Sequence, residues 1–576
     1  MLSEEQLHTE SLGHLGLVMS TIKKIGLMDM IDQRLPLSPD KGVHISMGKR
    51  VAAMILNGLG FMDDRLYMFP EFLKSVPVQR FFGPDVTADH FNDDALGRCL
   101  DAIYACGPTK LFSEVAFAIG IKQGLLGKTA RFDTTSLVVY GDYDQESPSE
   151  DPAPQPDGEG ADKDSTAPDP EASAEPVSQT QPFAPRHGYS KDGRPDLKQV
   201  VLNLATTGKA SFPIWMESLS GNASDKVVLQ KAAERMHLFS KALKEAPSFL
   251  YVGDSAMYDA CVANAGEMLW LSRVPHTNKA IKEMMSMKDE DFTWEQLDKG
   301  YRIASARRTY KNTEQRWLLV FSEQKQGSET STLKRRIAQE KEEMDKALWH
   351  LSNQVFECPE DAAKAIKPLE KKLKYHTVAQ TVQEVRKHKG KGRPKEGVLA
   401  EVVGYQVLGS LIADEHKITE LERTLGRFVL ATNQLDQTAL SDAEMLSEYK
   451  DQLHTEQGFR FIKNDTFEVS GVFLKKPERI QALMMVMTLC LMIYNLAQHF
   501  LRQALVDQNE TLPDQLKKPT QKPTMERVGK MFRNVNVVYL RFETYSQELV
   551  SNLNDLLRRI IRYFGPVAEK IYGLSG

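Results

Sequence analysis

Four polar side chains of different chemistry recur at helical spacing in the C-terminal quarter of the chain. Counted from the first, the others stand three, seven and fourteen residues further on, so a helix would carry all four on one face. A carboxylate beside an aromatic hydroxyl, an amide and an ammonium can bind a metal ion while its neighbours hold a phosphate backbone. That chemistry suits nucleic-acid cleavage, and the alternative is a solvated polar face with coincidental spacing. The residues are Tyr449, Gln452, Glu456 and Lys463.

Two aspartates occupy notable places in predicted strands. Asp133 lies inside an apolar strand, and Asp254 directly follows another. A carboxylate within an apolar strand is costly unless it is paired or coordinates an ion. Each has a structural alternative, because Asp133 could face a sheet edge and Asp254 could cap the helix that follows it. With Glu456 they form a set of three carboxylates that a mixed sheet could bring to one point.

The elements that must position these carboxylates follow from the hydrophobic pattern. Residues 207–210 are a plausible hairpin turn, and residues 224–245 are predicted to form a helix. Strands that alternate with helices in this way predict a mixed sheet of the α/β class. The predicted strands cover residues 130–140, 199–206, 212–218, 249–252 and 268–274.

The two ends of the chain are predicted to be helical. Amphipathic segments span residues 13–31, 47–60 and 93–119, and Asn92 precedes the last of them as a capping residue. A further helical tail is predicted near the C-terminus, at residues 523–571. The apolar run 482–494 is shorter than the roughly 20 residues that a bilayer requires, so a buried core helix is predicted.

Composition is that of a soluble globular protein. The chain has 576 residues, of which 41% are hydrophobic and 26% are charged, and two to four structural units are expected. The five cysteines show no paired spacing, so neither a zinc site nor a disulfide framework is predicted. The N-terminus lacks the features of a signal peptide, and we expect a cytoplasmic protein without a membrane partner.

The net charge of −5 hides an uneven distribution. Residues 142–178 contain twelve acidic residues and one lysine, together with many Pro, Ser, Ala and Gly residues. Such a segment is predicted to be a disordered insertion. Without it the chain holds 72 basic and 66 acidic residues, a net charge of +6, which permits a nucleic-acid partner.

A basic run, residues 386–395, contains the sequence Gly-Arg-Pro-Lys, which resembles an AT-hook. In that motif an extended Arg-Pro arm enters the minor groove of A·T-rich DNA. We expect Lys391, Arg393 and Lys395 to contact DNA, and a solvated basic loop is the alternative. Trp294 and Trp317 are weak candidates for stacking on a displaced base, with ordinary core packing as the favoured alternative.

The three carboxylates resemble the catalytic triad of DDE transposases of insertion sequences, which have an RNase H-like domain. One group of these carries a Tyr-x2-Arg-x3-Glu-x6-Lys signature, which Tyr449, Glu456 and Lys463 match, while Gln452 replaces the arginine. Residues 187–199 resemble a Ser-Lys-Asp-x-Arg-Pro-Asp-Leu-Lys-Gln block of one branch. Residues 427–433 resemble the strand before the signature helix.

The resemblance implies an RNase H-like mixed five-stranded sheet with flanking helices, a long α+β insertion before the signature helix, and an all-helical N-terminal domain. The N-terminal domain would bind DNA ends, and the insertion would pack over the active site and contact DNA. The implied divisions are residues 1–125 (N-terminal domain), 126–275 (first catalytic part, with a disordered acidic insertion at 142–186), 276–425 (insertion), 426–510 (second catalytic part) and 511–576 (helical tail).

The resemblance also implies DNA transposition by cut-and-paste, in which a magnesium-dependent endonuclease cuts the ends of the element and joins them to target DNA. Asp133 would bridge two Mg²⁺ ions, for which Mn²⁺ may substitute, and Asp254 and Glu456 would each complete one ion's ligands. Tyr449, Gln452 and Lys463 would contact the DNA backbone. The partners would be terminal inverted repeats, target DNA and a second protomer in a synaptic homodimer.

Three further residues lie where the acidic insertion returns to the sheet. They could be backbone contacts or turn residues, and they are His187, Lys191 and Arg194. Two other functions share the pattern. The first is a catalytically silent DNA-binding protein derived from a transposase, and the second is another RNase H-like nuclease that acts on RNA or on DNA junctions.

Overall fold

The computed structural model divides the chain into two units. The first comprises Met1–Trp270 and Glu448–Gly576, and the second comprises Leu271–Ser447. The structure describes residues 7–37, 45–60, 69–139, 143, 183–188, 193–223, 225–243, 245–264, 266, 268–388, 399–452, 458, 459, 462, 474, 476–541 and 546–574. The predicted acidic insertion therefore lies almost entirely outside the described residues.

Amphipathic helices build the N-terminal part, as their apolar spacing predicts. Asn92 Oδ1 accepts a hydrogen bond from the Ala95 amide at 2.9 Å, so this residue caps its helix as predicted. Ser46 caps another helix in the same way. The elements are β1 (Leu7–Ser11), α1 (Leu15–Ile25), α2 (Leu27–Arg34), α3 (Met47–Leu59), α4 (Phe69–Lys74), α5 (Val78–Phe82), a 3₁₀ helix (Ala88–Phe91), α6 (Asp93–Cys106) and α7 (Pro108–Lys122).

The strand β1 corrects the prediction of an all-helical N-terminal domain. Its sequence, Leu-His-Thr-Glu-Ser, shows no apolar alternation, yet it pairs antiparallel with a strand near the opposite end of the chain. Leu7 lies opposite Leu540 and Ser11 lies opposite Asn536. A strand formed by so distant a partner leaves no local signal, because the hydrogen bonds that stabilise it come from elsewhere in the chain.

Five strands predicted from the sequence form one side of a mixed sheet. These elements are β2 (Thr129–Val138), β3 (Gln199–Thr207), β4 (Phe212–Ser220), α8 (Asp225–Lys241), β5 (Leu250–Gly253), α9 (Ser255–Asn264) and β6 (Leu269–Arg273). The strand order is β4-β3-β2-β5-β6, with β2 antiparallel to β3 and parallel to β5. The predicted hairpin turn between β3 and β4 is present, and Gly208 provides its positive φ of 65°.

The second unit contains strands beyond the five that the sequence predicts. The strand order here is β6-β12-β9-β8-β7. The elements are α10 (Lys279–Ser286), 3₁₀ helices (Asp289–Asp291 and Asp298–Gly300), β7 (Glu295–Leu297), β8 (Tyr301–Tyr310), β9 (Thr313–Ser322), α11 (Glu323–Ser352), α12 (Pro359–Lys364), α13 (Lys367–Glu370), β10 (His376–Lys387), β11 (Glu401–Ala413), α14 (Glu415–Thr424), β12 (Arg427–Thr432) and α15 (Asp442–Lys450).

Strands β10 and β11 form a two-stranded antiparallel sheet, which we call the ribbon. One face of the ribbon packs on α11 and on residues around α12 through a small apolar cluster. The buried members of that cluster are Leu348, Leu351, Ile366 and Val407. The ribbon is absent from the sequence-based prediction, in which this part of the insertion held only a basic run.

Glu340 of α11 fastens the start of the ribbon. Its carboxylate accepts hydrogen bonds from the amides of Lys374 and Tyr375, each at 2.8 Å, and lies 3.0 Å from His376 Nδ1. Burial raises the pKa of this carboxyl, but the hydrogen bonds outweigh burial and hold the pKa below its ordinary value of 4.5. The lowered pKa stabilises the folded state fully above that ordinary value, and the contribution is lost as the pH falls through the lowered pKa.

We predict that Glu340→Gln loosens the start of the ribbon, because one amide oxygen replaces a carboxylate that serves several donors. The expected cost to local opening is about 1–3 kcal/mol. Hydrogen exchange of the amides of residues 376–379 should be faster in the variant at neutral pH. In the unchanged protein the protection factors of these amides, which are corrected for the intrinsic exchange rate, should fall as the pH drops below about 4.5. Glu343→Gln on the exposed side of α11 is the control, and equal exchange in both variants would contradict the prediction.

A long apolar helix forms the core of the first unit. It is α16 (Pro477–Asp507), which packs against α1, α3, α6, α7 and β4. Within the described part of the chain it is the one helix long and apolar enough to cross a membrane, and 78% of its most apolar window is buried inside the protein. The prediction of a buried core helix is confirmed, although the helix is longer than the apolar run itself.

The C-terminal tail contains strands as well as helices, which corrects the prediction of a helical tail. β15 pairs with both β1 and β16. Its sequence, Asn-Val-Val-Tyr-Leu-Arg, is rich in residues that favour strands. The elements are β13 (Leu512–Pro513), β14 (Pro519–Thr520), α17 (Met525–Phe532), β15 (Asn536–Arg541), β16 (Ser546–Ser551), α18 (Asp555–Phe564) and α19 (Pro566–Ile571).

Candidate active site

The parallel pairing of β2 with β5 brings the two predicted aspartates to the same edge. Arg131 lies opposite Val252 in the last pair of this register, and each aspartate follows its member of that pair by two residues. Neighbouring strands are about 4.8 Å apart. Asp133 is half-buried, and its Oδ1 accepts a hydrogen bond from the Thr134 amide at 2.8 Å. The structure therefore brings the strand segments that carry these two aspartates to the same edge of the sheet.

Asp254 also has the structural role that was its alternative. The residue is exposed directly after β5, and its Oδ1 accepts a hydrogen bond from the Ala256 amide at 2.9 Å at the start of α9. A carboxylate has about four lone-pair sites on two oxygens. Capping a helix and binding a cation are therefore compatible functions of one aspartate.

The end of α15 docks on the same face of β2 that carries Asp133. Alternate residues of a strand share a face, so Thr129, Arg131 and Asp133 line up. Thr129 Oγ1 donates to Glu448 Oε2 at 2.8 Å, and the Arg131 guanidinium forms ion pairs with Glu448 and, at 3.4 Å, with Asp451. The Arg131 side chain is only 6% exposed. This buried cation holds the chain at residues 448–451 against the strand.

Gln452 continues the same docking one step further along β2. Its side chain is buried, and its Nε2 donates a hydrogen bond to the Phe132 carbonyl at 3.2 Å. Contacts of residues 448–452 thus advance along β2 from Thr129 toward Asp133. The amide that stands in place of the signature arginine is held by the backbone of β2.

The helix that was predicted to begin at Tyr449 is placed differently. Tyr449 lies in the last turn of α15, which ends at Lys450, and Gln452 lies in the turn that follows. The expectation that one continuous helix carries both on a single face is therefore wrong. Apolar residues earlier in α15, Met445 and Leu446, are buried and set where this helix begins and packs.

Several predicted residues fall beyond the described part of the chain, so their roles stay predictions. They are Glu456, Lys463, Lys191, Lys391, Arg393 and Lys395. The last three lie between the strands of the ribbon, because β10 ends at Lys387 and β11 begins at Glu401. The basic run therefore begins within β10 and continues into the sequence that connects the two strands of the ribbon.

The other predicted residues have structural partners. Arg194 forms an exposed ion pair with Asp196 at 2.8 Å, and His187 Nδ1 lies 3.3 Å from the Pro195 carbonyl, as turn residues would. Trp317 is 2% exposed, so core packing is confirmed for it. Trp294 Nε1 donates to the Asp289 carbonyl at 3.1 Å.

Carboxylates at adjacent positions repel each other unless a cation lies between them. At an effective dielectric of 20, two unit charges 4 Å apart repel by about 4 kcal/mol. Among the residues that the structure describes, no group of three possible metal ligands occurs. Glu456, the third carboxylate of the predicted set, lies outside the residues that the structure describes.

Arg131 is a site residue that the sequence reasoning missed. A buried arginine two residues before an aspartate in an apolar strand is itself a signal, because an arginine is rarely buried without a partner. We predict that Arg131→Met destabilises the protein by about 1–3 kcal/mol, since Glu448 and Asp451 lose their shared cation but are partly exposed. Thermal or urea unfolding measures this effect, with Arg194→Met as the exposed control. Equal stability of the two variants would contradict the prediction.

Comparison with known proteins gives limited further information. Residues 7–117 match the model of a family described as a domain of unknown function, DUF4277. No curated protein matches the chain. Among solved structures, the chain is similar to a piggyBac transposase in a synaptic complex with hairpin DNA. The TM-score is 0.33 and the identity 8%, over 90% of this chain and 79% of the other. A likeness at this TM-score does not establish the function of the chain.

Proposed function

We propose that this protein is a DNA transposase of the DDE type, with an RNase H-like catalytic core in its first unit. The observation that supports the proposal is the parallel pairing of β2 with β5 two residues before Asp133 and Asp254, with the chain at Glu448–Gln452 docked along β2. Glu456 follows that docked segment by four residues. The third carboxylate is therefore only four residues along the chain from a segment that contacts the strand of Asp133.

The donor set suits divalent magnesium. Asp133, Asp254 and Glu456 would hold the ions, since Mg²⁺ prefers oxygen ligands and Mn²⁺ accepts the same ones. When bound, a pair of such ions activates water or a 3′-hydroxyl and stabilises the leaving oxygen of a phosphodiester. The fit depends on charge, because two adjacent aspartates are relieved of repulsion by a cation and by no neutral group.

The chain's other residues would hold and orient the DNA. Tyr449, at the end of α15, and Lys463 would contact the backbone near the scissile phosphate. Gln452 would hold its own segment of the chain in position and would not bind DNA, because its amide already donates a hydrogen bond to the Phe132 carbonyl. Lys391, Arg393 and Lys395, in the sequence between the two strands of the ribbon, would hold DNA. Lys191 and Arg194 would add weaker backbone contacts.

The proposed transposition reaction implies which DNA the protein binds and how many copies of it act together. The N-terminal helical region would bind the terminal inverted repeats, and a homodimer would hold two element ends together before joining them to target DNA. The protein would act in the cytoplasm on the nucleoid. The proposed divisions are residues 1–125, 126–275, 276–425, 426–510 and 511–576, of which the third corresponds most closely to the second unit of the fold.

A cleavage assay tests the function. The purified protein is incubated with linear duplex DNA that carries the repeats flanking its gene, in Mg²⁺, Mn²⁺ or EDTA. We expect nicks at the repeat ends with either metal and none in EDTA. A protein that retards the DNA without cutting it in any metal would be a silent binder. One that cuts RNA or junctions and spares the repeats would be another kind of nuclease. Either result would overturn the proposal.

A further inference from the structure

The ribbon has one face packed on the protein and one face exposed. The pairs Val378–Leu411 and Val382–Val407 point inward, where these side chains join the apolar cluster with α11. Because strand residues alternate, the pairs between them point outward. These outward pairs include Ala379–Ser410, Thr381–Leu408 and Gln383–Gln406.

The exposed face is uncharged along most of its length. Residues 376–383 and 402–413 contain no Asp, Glu, Lys or Arg. The face nevertheless exposes two large apolar side chains, Leu408 at 44% and Ile412 at 54%, between hydroxyl and amide side chains. A solvated surface normally carries charge, so a long uncharged face with hydrogen-bonding groups is typical of a surface that meets a partner.

The sequence from the end of β10 to the start of β11 carries a net positive charge. Residues 384–401 hold six lysines and arginines and three glutamates, a net charge of +3. Of the described residues there, Arg386 and Lys387 are exposed, although Arg386 is paired with Glu384. This charge complements a phosphate backbone, whereas a second copy of the same face would bring only more positive charge.

The dimensions of the ribbon fit a DNA groove. Twelve residues of β10 at about 3.3 Å each span roughly 40 Å, which exceeds one helical turn of B-DNA. The major groove is about 12 Å wide and admits a two-stranded ribbon. Strands in the groove would present their alternate side chains directly to base edges.

We propose that the exposed face of the ribbon reads sequence in the major groove of double-stranded DNA. Gln383 and Gln406, directly opposite each other, would bond adenine edges, Thr381 and Ser410 would bond either base, and Leu408 would contact thymine methyl groups. Lys387 would hold a phosphate. This inference rests on the proposed function, and it identifies the ribbon as the element that selects the DNA sequence.

Selection of bound sequences from random duplex DNA tests the ribbon. The full-length protein is first used to find its preferred sequence, and affinities for that sequence and for scrambled DNA are then compared. We expect Gln383→Ala/Gln406→Ala to reduce the ratio of these affinities by about 10- to 100-fold and to relax selection at adenine positions. Gln339→Ala/Gln354→Ala, on and just after α11, is the matched control and should leave the ratio unchanged. Lys387→Ala should weaken binding to both DNAs alike.

The outcomes separate this inference from the proposed function. End-specific cleavage with sequence preference unaltered in the ribbon double variant would overturn the ribbon's role and leave transposition standing. Absence of any DNA binding would overturn the proposed function itself. Sedimentation measures whether the same double substitution dissociates a dimer. If it does so while the DNA preference is retained, the face is an interface between copies of the protein, and the proposal again fails.

Discussion

Replacing Asp133 by Asn is expected to reduce metal-dependent DNA cleavage by more than about a hundredfold while leaving the fold intact. Changes to residues that only support metal ligands cost about 10- to 100-fold, and the loss of a bridging ligand should cost more. Asn keeps the size of Asp, and its Oδ1 can still accept the hydrogen bond from the Thr134 amide. The initial rate of nicking at repeat ends in Mg²⁺ measures the effect, with thermal unfolding as the check on folding.

The controls for this prediction are chosen by charge and position. Asp254→Asn and Glu456→Gln should lose activity to a similar degree, since each would complete one ion's ligands. Asp85→Asn removes the same charge from an exposed loop after α5 and should leave cleavage unchanged. Undiminished nicking by the Asp133 variant would exclude the carboxylate pair as the site of catalysis.

Replacing Lys391, Arg393 and Lys395 together by alanine is expected to weaken DNA binding strongly and to make it less dependent on salt. Each phosphate contact contributes about −0.9 to the slope of log affinity against log salt concentration, so the slope should shrink by roughly three. Extrapolated from 1 M salt, that difference amounts to about a hundredfold in affinity at 0.15 M. Titrations of a labelled duplex at several salt concentrations measure both quantities.

A second triple variant separates local contact from net charge. Lys367, Lys371 and Lys372, in and just after α13, are exposed lysines of the same unit, and their replacement by alanine changes the charge equally. We expect this variant to keep nearly the full salt slope. Equal losses in the two variants would mean that the basic run acts only through general charge and not as a contact.

Much of the candidate site was predictable because its signals are local. An aspartate inside an apolar strand and another at the end of a strand are visible in the sequence, and β2 and β5 form where the hydrophobic runs place them. The cap at Asn92 was equally visible, since a capping side chain acts on an amide only three residues away. Interactions between residues this close in the chain can be predicted from the local sequence.

The ribbon and β1 were missed for the opposite reason. β1 is polar and becomes a strand only by pairing with β15, near the other end of the chain. In the ribbon, one face packs on α11 and the other is exposed, yet both carry apolar residues, so the alternation that reveals a half-buried strand is weak. Neither strand has a pattern strong enough to be read without its partner.

The amino-acid sequence by itself determined which side chains are available for chemistry: Asp133, Asp254 and Glu456, and the basic run that follows β10. Only the tertiary structure decided that β2 and β5 are parallel neighbours, in a register that pairs Arg131 with Val252 two residues before each aspartate. It also decided that Arg131 anchors Glu448 and Asp451 on the same strand face. The register of the strands, and an ion pair between residues 317 positions apart in the chain, depend on how the whole unit packs. Neither can be predicted from a local sequence pattern.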